Sequence, residues 1–322
     1  MFGIAAPIVL APMGGVAGGA LAAAVADAGG LGLIGCGYAD PRLGYGSDEW
    51  IHRQFDVAAK RRVGAGFITW SLAKRPRALQ VALERGADPI FLSFGDARPF
   101  LPPLRKAQRK VILQVSTLAD AREAVALGPD ALVVQGTEAG GHGKARRGLF
   151  TLLPAAVDLA GSLPVLAAGG VCDGRGLAAA LVLGAQGVLM GTRFFASRQA
   201  AASQALKDRL NVAGGDDTLR TRVFDIARSL DWPPEYTGRA ISNRFSATWH
   251  GREEELSKNA DQVLRAYESA RQQDDVYTVA LFAGEGVDLV RDTPSAAEIV
   301  ARMVSEAEAL LATFGERVRA QP

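Results

Sequence analysis

The strongest constraint on the fold is a regular alternation of short apolar runs with helix-length segments over the first 200 residues. The runs are apolar at nearly every position, as expected of parallel strands that are covered on both faces. Eight runs are candidate strands: Ile8–Pro12, Leu31–Gly35, Val63–Thr69, Pro89–Ser93, Val111–Val115, Ala131–Gln135, Val165–Ala168 and Gly187–Met190. Helical periodicity between them is clearest at Gly19–Ala28, Arg77–Arg85, Leu118–Leu127 and Arg175–Leu183. This pattern predicts an α/β fold, a (β/α)8 barrel of the TIM type.

A doubly wound open sheet is the competing interpretation of the same alternation. Its nucleotide-binding form usually carries Gly-x-Gly-x-x-Gly after the first strand. The chain has glycines between Gly15 and Gly19 at that point, but their spacing differs from that motif. The barrel therefore fits the sequence better.

The pattern changes after residue 209. Paired glycines and aspartates at residues 214–217 indicate a loop, an irregular polar stretch follows, and Glu253–Gln273 predicts a long polar helix. Ser295 and Glu298 have capping-box spacing and predict a last helix that ends at Gly315. If that helix completes the barrel, the chain divides into a barrel (residues 1–209 plus 291–322) and a lid subdomain inserted over its mouth (residues 210–290).

Composition narrows the function classes. The chain has 36 basic and 34 acidic residues, so its charge gives no general attraction to nucleic acid or membranes. It has neither a signal-peptide pattern nor a run of about 18 apolar residues, so we expect no membrane association. Two distant cysteines, Cys36 and Cys172, favour a reducing, cytoplasmic setting over a disulfide framework. No cluster of residues has metal-ligand spacing, so no metal is expected.

His142 is the candidate catalytic residue. It lies in the segment Gly140-Gly141-His142-Gly143, just past the candidate strand Ala131–Gln135. Catalytic groups in such barrels lie at the C-terminal ends of strands, and imidazole is suited to proton transfer near neutral pH. Only two other histidines are present. We expect His52 on a helix surface and His250 in a structural hydrogen bond.

Glycines follow the seventh and eighth candidate strands, at Gly169-Gly170 and at Gly191-Thr192. Loops at these two positions commonly bind phosphate in this fold, because glycine lets backbone N–H groups approach its oxygens. We expect the Thr192 hydroxyl and the positive end of the following helix to contribute. The basic cluster at residues 144–147 could also meet an anionic ligand, or could simply be solvated.

Five motifs resemble, in order and spacing, those of the nitronate monooxygenases, formerly called 2-nitropropane dioxygenases. The resemblance covers roughly residues 5–200, and a further likeness lies at residues 283–296. The motifs are Ala11-Pro12-Met13, Ala28-Gly29-Gly30-Leu31-Gly32, Glu138-Ala139-Gly140-Gly141-His142, Ala168-Gly169-Gly170-Val171 and Met190-Gly191-Thr192-Arg193-Phe194. The combination is specific to a superfamily of barrels that bind flavin mononucleotide (FMN).

The resemblance implies a non-covalent FMN and the oxidation of alkyl nitronates by dioxygen to a carbonyl compound and nitrite. By that likeness His142 is catalytic, as a general base or as a partner of the substrate's nitro oxygens. The residues implied in binding FMN are Ala11, Pro12, Met13, Gly14, Gln114, Gln135, Gly140, Gly141, Gly169, Gly170, Gly191 and Thr192. The expected partners are a small nitronate or nitroalkane and dioxygen, and the oligomeric state stays open, a homodimer included.

Two positions depart from the family pattern. Thr69-Trp70 stands where an Asn is expected, and Gln114 stands where relatives can carry Lys. A neutral Gln would stabilise an anionic reduced flavin less than a Lys would, so the oxidative chemistry is left open.

Two alternatives therefore remain. The superfamily also includes FMN-dependent enoyl-acyl-carrier-protein reductases and NADH:quinone reductases. The chain could accordingly be an NAD(P)H-dependent flavin reductase acting on a quinone or an enoyl thioester. A flavin-binding barrel without turnover is the third interpretation, and His142 argues against it.

Overall fold

A computed structural model describes residues 2–38 and 43–319 of the chain, with side-chain burial up to residue 313. The strands are β1 (Ile8–Leu10), β2 (Leu33–Gly37), β3 (Gly64–Ile68), β4 (Ile90–Ser93), β5 (Val111–Val115), β6 (Ala131–Gln135), β7 (Gly141–Gly143), β8 (Val165–Ala168), β9 (Gly187–Met190), β10 (Thr218–Thr221) and β11 (Thr237–Ile241). The first ten helices are α1 (Gly19–Asp27), α2 (Asp48–Ala58), α3 (Thr69–Leu72), α4 (Arg77–Glu84), α5 (Leu101–Lys106), α6 (Leu118–Ala126), α7 (Leu149–Ala160), α8 (Gly174–Val182), α9 (Thr192–Phe195) and α10 (Gln204–Asn211). The later helices are α11 (Val223–Ala227), α12 (Arg244–Trp249), α13 (Glu253–Lys258), α14 (Ala260–Gln272) and α15 (Ala296–Arg319). Short 3₁₀ turns lie at Arg98–Phe100, Gly215–Asp217 and Glu285–Leu289.

Eight parallel strands form the central sheet, in the order β1-β9-β8-β6-β5-β4-β3-β2. The two ends of this order meet, because the Leu10 N–H donates to the Leu31 carbonyl and the Leu31 N–H donates to the Ile8 carbonyl, both at 2.9 Å. The sheet thus closes into a barrel rather than leaving two open edges, and the predicted TIM-type fold is confirmed. A doubly wound sheet is excluded.

Alternate residues of each strand serve two apolar cores. On β6, Ala131 and Val133 pack inside the barrel, while Leu132 and Val134 pack against the surrounding helices. This division explains why the strands are apolar on both faces. The first strand is shorter than predicted, although pairing continues to Ala11, whose N–H donates to the Met190 carbonyl at 2.9 Å.

The last helix, α15, packs between α8 and α1. Its start has the predicted capping box: the Ser295 N–H donates to the Glu298 carboxylate at 2.7 Å, and the Glu298 N–H donates to the Ser295 hydroxyl at 3.2 Å. The predicted end at Gly315 is wrong, since the helix runs to Arg319. One glycine costs a helix only about 1 kcal/mol, which good helix formers on either side can outweigh.

Residues 204–290 lie between β9 and α15 in sequence and contain α10 to α14. The strand β11 pairs antiparallel with β10 on one side and with β7 on the other. An apolar cluster of this segment's own includes Phe224, Leu256 and Tyr267. The long polar helix predicted here is interrupted at Asn259, whose side-chain amide donates to the Glu255 carbonyl at 2.9 Å and competes with the backbone.

None of the helices in the described part of the chain is long and apolar enough to cross a membrane.

Candidate active site

A cavity of about 570 Å³ opens at the C-terminal ends of the barrel strands. Its lining includes every residue that the sequence placed in the site. These are His142 together with Ala11, Pro12, Met13, Gly14, Gln114, Gln135, Gly140, Gly141, Gly169, Gly170, Gly191 and Thr192. The structure therefore brings together the ends of β1, β5, β6, β8 and β9 around one space.

The glycines after β8 and β9 leave backbone donors available to a ligand. Gly169 and Gly170 have φ values of 105° and 73°, in the left-handed region that glycine favours. The N–H groups of Gly170, Gly191 and Thr192 donate to no acceptor among the described residues. The Thr192 hydroxyl accepts from the Gly284 N–H at 3.0 Å, so its own proton is still available.

The helix that follows β9 is too short to contribute the dipole that the sequence analysis expected at this edge. This helix, α9, is a single turn of four residues, so we assign the anion-binding character of this edge to the free amides rather than to a helix dipole.

Two glutamines connect the barrel to the His142 strand. The Gln135 side-chain carbonyl accepts from Gln114 Nε2 at 3.2 Å and from the Ser116 hydroxyl at 3.3 Å. Its Nε2 donates to the His142 carbonyl at 2.9 Å. Gln135 therefore holds β7 against β6. The carbonyl oxygen of Gln114 has no partner among the described residues and is the freer group for a ligand.

The segment around His142 is a strand rather than the expected loop. It is β7, and His142 lies opposite Gly238 of β11. Arg220 Nη2 and Arg239 Nη2 donate to the Thr137 carbonyl at 3.0 and 3.2 Å. Burial lowers the pKa of Arg220 to about 10. The backbone leading to His142 is thus held by a sheet and by two arginines that the sequence analysis did not identify.

His142 is buried, with 8% of its side chain exposed, and its Nε2 lies 2.9 and 3.0 Å from the two carboxylate oxygens of Asp225. Arg228 Nη2 donates to the same carboxylate at 2.7 Å. Asp225 is on α11, and Arg228 is the first residue after that helix. Both lie in the irregular segment after residue 209, where no motif in the sequence pointed to them.

Burial lowers the pKa of His142 below its usual range, the Asp225 carboxylate opposes that shift, and the Arg228 and Arg220 guanidinium groups add to it. Burial alone would raise the pKa of Asp225, but His142 and Arg228 together lower it below its usual range. We therefore describe the group near neutral pH as an ionised Asp225 between a neutral His142 and a charged Arg228.

Aromatic side chains cover one side of the imidazole. Trp232 stacks on His142 with ring centroids 3.6 Å apart and planes 4° apart. Its Nε1 donates to the Tyr38 hydroxyl at 2.9 Å. Trp70, at the position where an Asn was expected, packs edge-on against Trp232 at 5.4 Å. The departure at Thr69-Trp70 is thus part of an aromatic cluster that fixes the histidine ring.

The basic cluster at residues 144–147 and the other two histidines that the sequence analysis considered do not line the cavity. Lys144 forms an ion pair with Asp120 at 2.8 Å. His250 Nδ1 lies 3.1 Å from the Thr221 hydroxyl, the structural hydrogen bond expected of it. His52 is half-buried on α2.

Both cysteines are buried and unpaired. Only Cys172 lines the cavity, and burial raises the pKa of its thiol to about 12. Among the described residues, no group of His, Cys, Asp or Glu side chains is arranged to hold a metal ion.

Comparison with solved structures supports the architecture. FabK from Thermotoga maritima superposes with a TM-score of 0.82 at 26% identity, covering 98% of this chain and 97% of its own. Nitroalkane oxidase from Streptomyces ansochromogenes gives a TM-score of 0.80 at 28% identity, with coverage of 97% and 98%.

Sequence comparison identifies the family. A family model described as nitronate monooxygenase matches residues 58–306. Nitronate monooxygenase npaC of Metarhizium robertsii is 34% identical over 345 aligned residues, which cover 94% of this chain and 91% of that protein. The chain therefore belongs to the nitronate monooxygenase family of flavin-dependent oxidoreductases.

Proposed function

We propose that this oxidoreductase uses FMN to oxidise alkyl nitronates with dioxygen, giving a carbonyl compound and nitrite. The observation that carries the proposal is the position of His142. It is held at the edge of the same cavity in which the ends of the neighbouring strands β8 and β9 present glycines with free N–H groups. Family membership supports the reaction class.

The residues present fit FMN. Phosphate oxygens need donors, and the unpaired N–H groups of Gly170, Gly191 and Thr192 supply them where a side chain would obstruct approach. Ala11, Pro12 and Met13 would lie along the ring, and the free carbonyl of Gln114 would accept from a ring N–H. Bound FMN would supply the redox chemistry between the substrate and dioxygen.

His142 and its neighbours would bind and orient the substrate beside that ring. A neutral imidazole can remove the proton from the carbon that bears a nitro group. A substrate that arrives as a nitronate has already lost this proton, and the site then needs only to hold it.

We further propose that residues 210–290 act as a lid over the barrel mouth. Its side chains that line the cavity together with barrel residues include Arg228, Trp232, Tyr267 and Phe282. Closing the mouth with aromatic rings would exclude water and strengthen the electrostatic interactions inside.

The test is a spectrum of the purified protein, followed by oxygen consumption with an alkyl nitronate. We expect flavin absorbance, nitrite release and oxygen uptake. With a nitroalkane as substrate, whose proton must be removed, His142→Asn should retain the flavin and lose turnover by at least about 100-fold, the lower range for removal of an acid–base group. His52→Asn is the matched control and should retain activity. Unchanged turnover in His142→Asn would remove the assigned role.

A second candidate is an NAD(P)H-dependent flavin reductase acting on a quinone or an enoyl thioester. The similarity to FabK along nearly the whole chain favours keeping it. Anaerobic bleaching of the flavin by NADH or NADPH, without reduction by a nitronate, would select this candidate.

A further inference from the structure

Asp225 contacts the imidazole of His142, and Arg228, which pairs with Asp225, lines the cavity beside it. No sequence motif identifies either residue. We propose that Asp225 fixes His142 as the tautomer with its proton on Nε2, and that Arg228 binds the negatively charged oxygen atoms of the substrate. The identity of the substrate rests on the proposed function. The roles of these two residues go beyond it.

The tautomer follows from what a carboxylate can do. An ionised carboxylate only accepts hydrogen bonds, and Nε2 lies within 3.0 Å of both of its oxygens, so the proton lies on Nε2. Nδ1 then carries a lone pair. It makes no hydrogen bond with any described residue, and His142 lines the cavity. Asp225 is therefore a positioning residue that turns the basic nitrogen toward the substrate.

Arg228 has one terminal nitrogen to spare. Its Nη2 donates to Asp225 at 2.7 Å and its Nε donates to the Phe224 carbonyl at 2.9 Å. Its Nη1 has no acceptor among the described residues, although the side chain is only 14% exposed and lines the cavity. Nη1 is therefore available to an acceptor on a ligand in the cavity. Its N–H groups would make charge-assisted hydrogen bonds to the anionic oxygen atoms of a nitronate or a carboxylate.

A nitroalkane and a nitronate would use these two residues differently. With a nitroalkane, the C–H bond next to the nitro group breaks and its proton forms an N–H bond at Nδ1. The electron pair becomes the C=N bond of a nitronate, and the negative charge moves onto oxygens that Arg228 binds. With a nitronate no proton moves, so Arg228 acts and Nδ1 does not.

Asp225→Asn tests the first role by keeping the shape and removing the charge. The carboxylate raises the pKa of His142, so its loss should weaken the base and shift the acid limb of the kcat/KM profile for a nitroalkane to lower pH. We expect kcat/KM for the nitroalkane to fall at least tenfold on the alkaline plateau, and kcat/KM for the nitronate, which gives up no proton, to fall by a smaller factor. Asp231→Asn, an exposed carboxyl of the same segment, is the matched control. An unmoved pH profile would overturn this role.

Arg228→Gln tests the second role, and Arg228→Lys restores the charge without the fork. Acetate and nitrite, titrated into the flavin-loaded protein and followed by flavin absorbance, report anion binding without turnover. We expect affinity to fall at least tenfold in Arg228→Gln and to recover partly in Arg228→Lys. Arg244→Gln, which lies outside the cavity, is the control. Equal affinity in Arg228→Gln and the unaltered protein would overturn the role.

Nitrogen NMR of histidine-labelled protein measures the tautomer directly, since the chain has three histidines and His142→Asn identifies the signal of interest. We expect a protonated Nε2 and an unprotonated Nδ1 near neutral pH, whereas the reverse tautomer would overturn the proposal. A protein with this tautomer and Arg228-dependent anion binding that oxidises no nitronate would instead overturn the proposed function alone.

Discussion

The surroundings of His142 are formed by residues that come from distant parts of the chain. Asp225, 83 residues further along, accepts from its ring, and Trp232 stacks on it. Removing one partner from a buried ion pair such as Asp225–Arg228 typically costs about 3–5 kcal/mol, because the remaining charge stays buried. Fold stability and the chemistry of the site therefore depend on the same side chains.

This dependence gives a pH prediction. The folded protein holds His142 below its unfolded pKa of 6.5, so the unfolded chain binds more protons as the pH falls below that value. The free energy of unfolding should decrease there, by at most about 1.4 kcal/mol per pH unit for one proton. Asp225, whose pKa is also lowered, adds a further loss at more acid pH.

Urea unfolding between pH 7.5 and 5 measures this slope. His142→Asn should flatten it, whereas His52→Asn on the outer barrel helix α2 should not. A slope that is the same in all three proteins would contradict the assignment of a neutral, buried His142.

Which residues of the site could be predicted from the sequence depends on where each of them lies in the chain. His142 and the glycines could be found because they follow strands that the apolar pattern already located. Asp225, Arg228 and Trp232 could not, because they lie in a segment without periodicity. Tertiary contacts alone bring them to the imidazole.

At the scale of elements, the proposed phosphate site lies at the strand ends after β8 and β9. Gly191 is the clearest place to test it. Its φ of −105° suits alanine, and an added methyl would meet Met13 Sδ at 3.5 Å and Ala11 Cβ at 3.7 Å, both ordinary contacts. Gly191→Ala should therefore fold normally while placing a methyl group at the cavity wall.

We expect Gly191→Ala to weaken FMN binding at least tenfold, with the cofactor-free stability changed by less than about 1 kcal/mol. Fluorescence titration of the stripped protein with FMN measures the affinity. Gly86→Ala, at a left-handed turn away from the cavity, should lose stability and keep FMN affinity. The reverse pattern would remove Gly191 from the cofactor site.

The strands also show where sequence patterns predict structure and where they do not. The barrel strands were located within two residues at each end, and four of the eight with the observed bounds, because burial on both faces leaves a long apolar run. The three-residue β7 was missed, since a strand of Gly-His-Gly has no apolar pattern and exists only through pairing with β11. The register of that pairing depends on residues far apart in the sequence, so no local pattern predicts it.

At the scale of the whole molecule, the cavity joins barrel and inserted segment into one unit. Its wall includes the ends of barrel strands as well as Tyr267 and Phe282 from the segment after residue 209. A ligand in this space should therefore stabilise both parts. At an FMN concentration 100 times its Kd, the free energy of unfolding should rise by about 2.7 kcal/mol.

Hydrogen exchange with and without FMN shows where that stabilisation acts. Amides of β10 and β11 should gain protection along with those of β8 and β9, because β11 is hydrogen-bonded to β7. The outer barrel helix α4, none of whose residues lines the cavity, should change least. Protection confined to the barrel would contradict the proposed lid.

The antiparallel pairing of β7 with β11 limits how this enzyme can diversify. Successive side chains of a strand point to opposite sides, so a shift of one residue would turn the imidazole of His142 away from the substrate. Insertions or deletions inside β7 are therefore expected to be as damaging as loss of the histidine itself. Residues 242–280 are not bound by this register, but they pack on α11, the helix that carries Asp225, and line the cavity at Tyr267. A designer could exchange residues there to admit new substrates by keeping the apolar contacts that support α11.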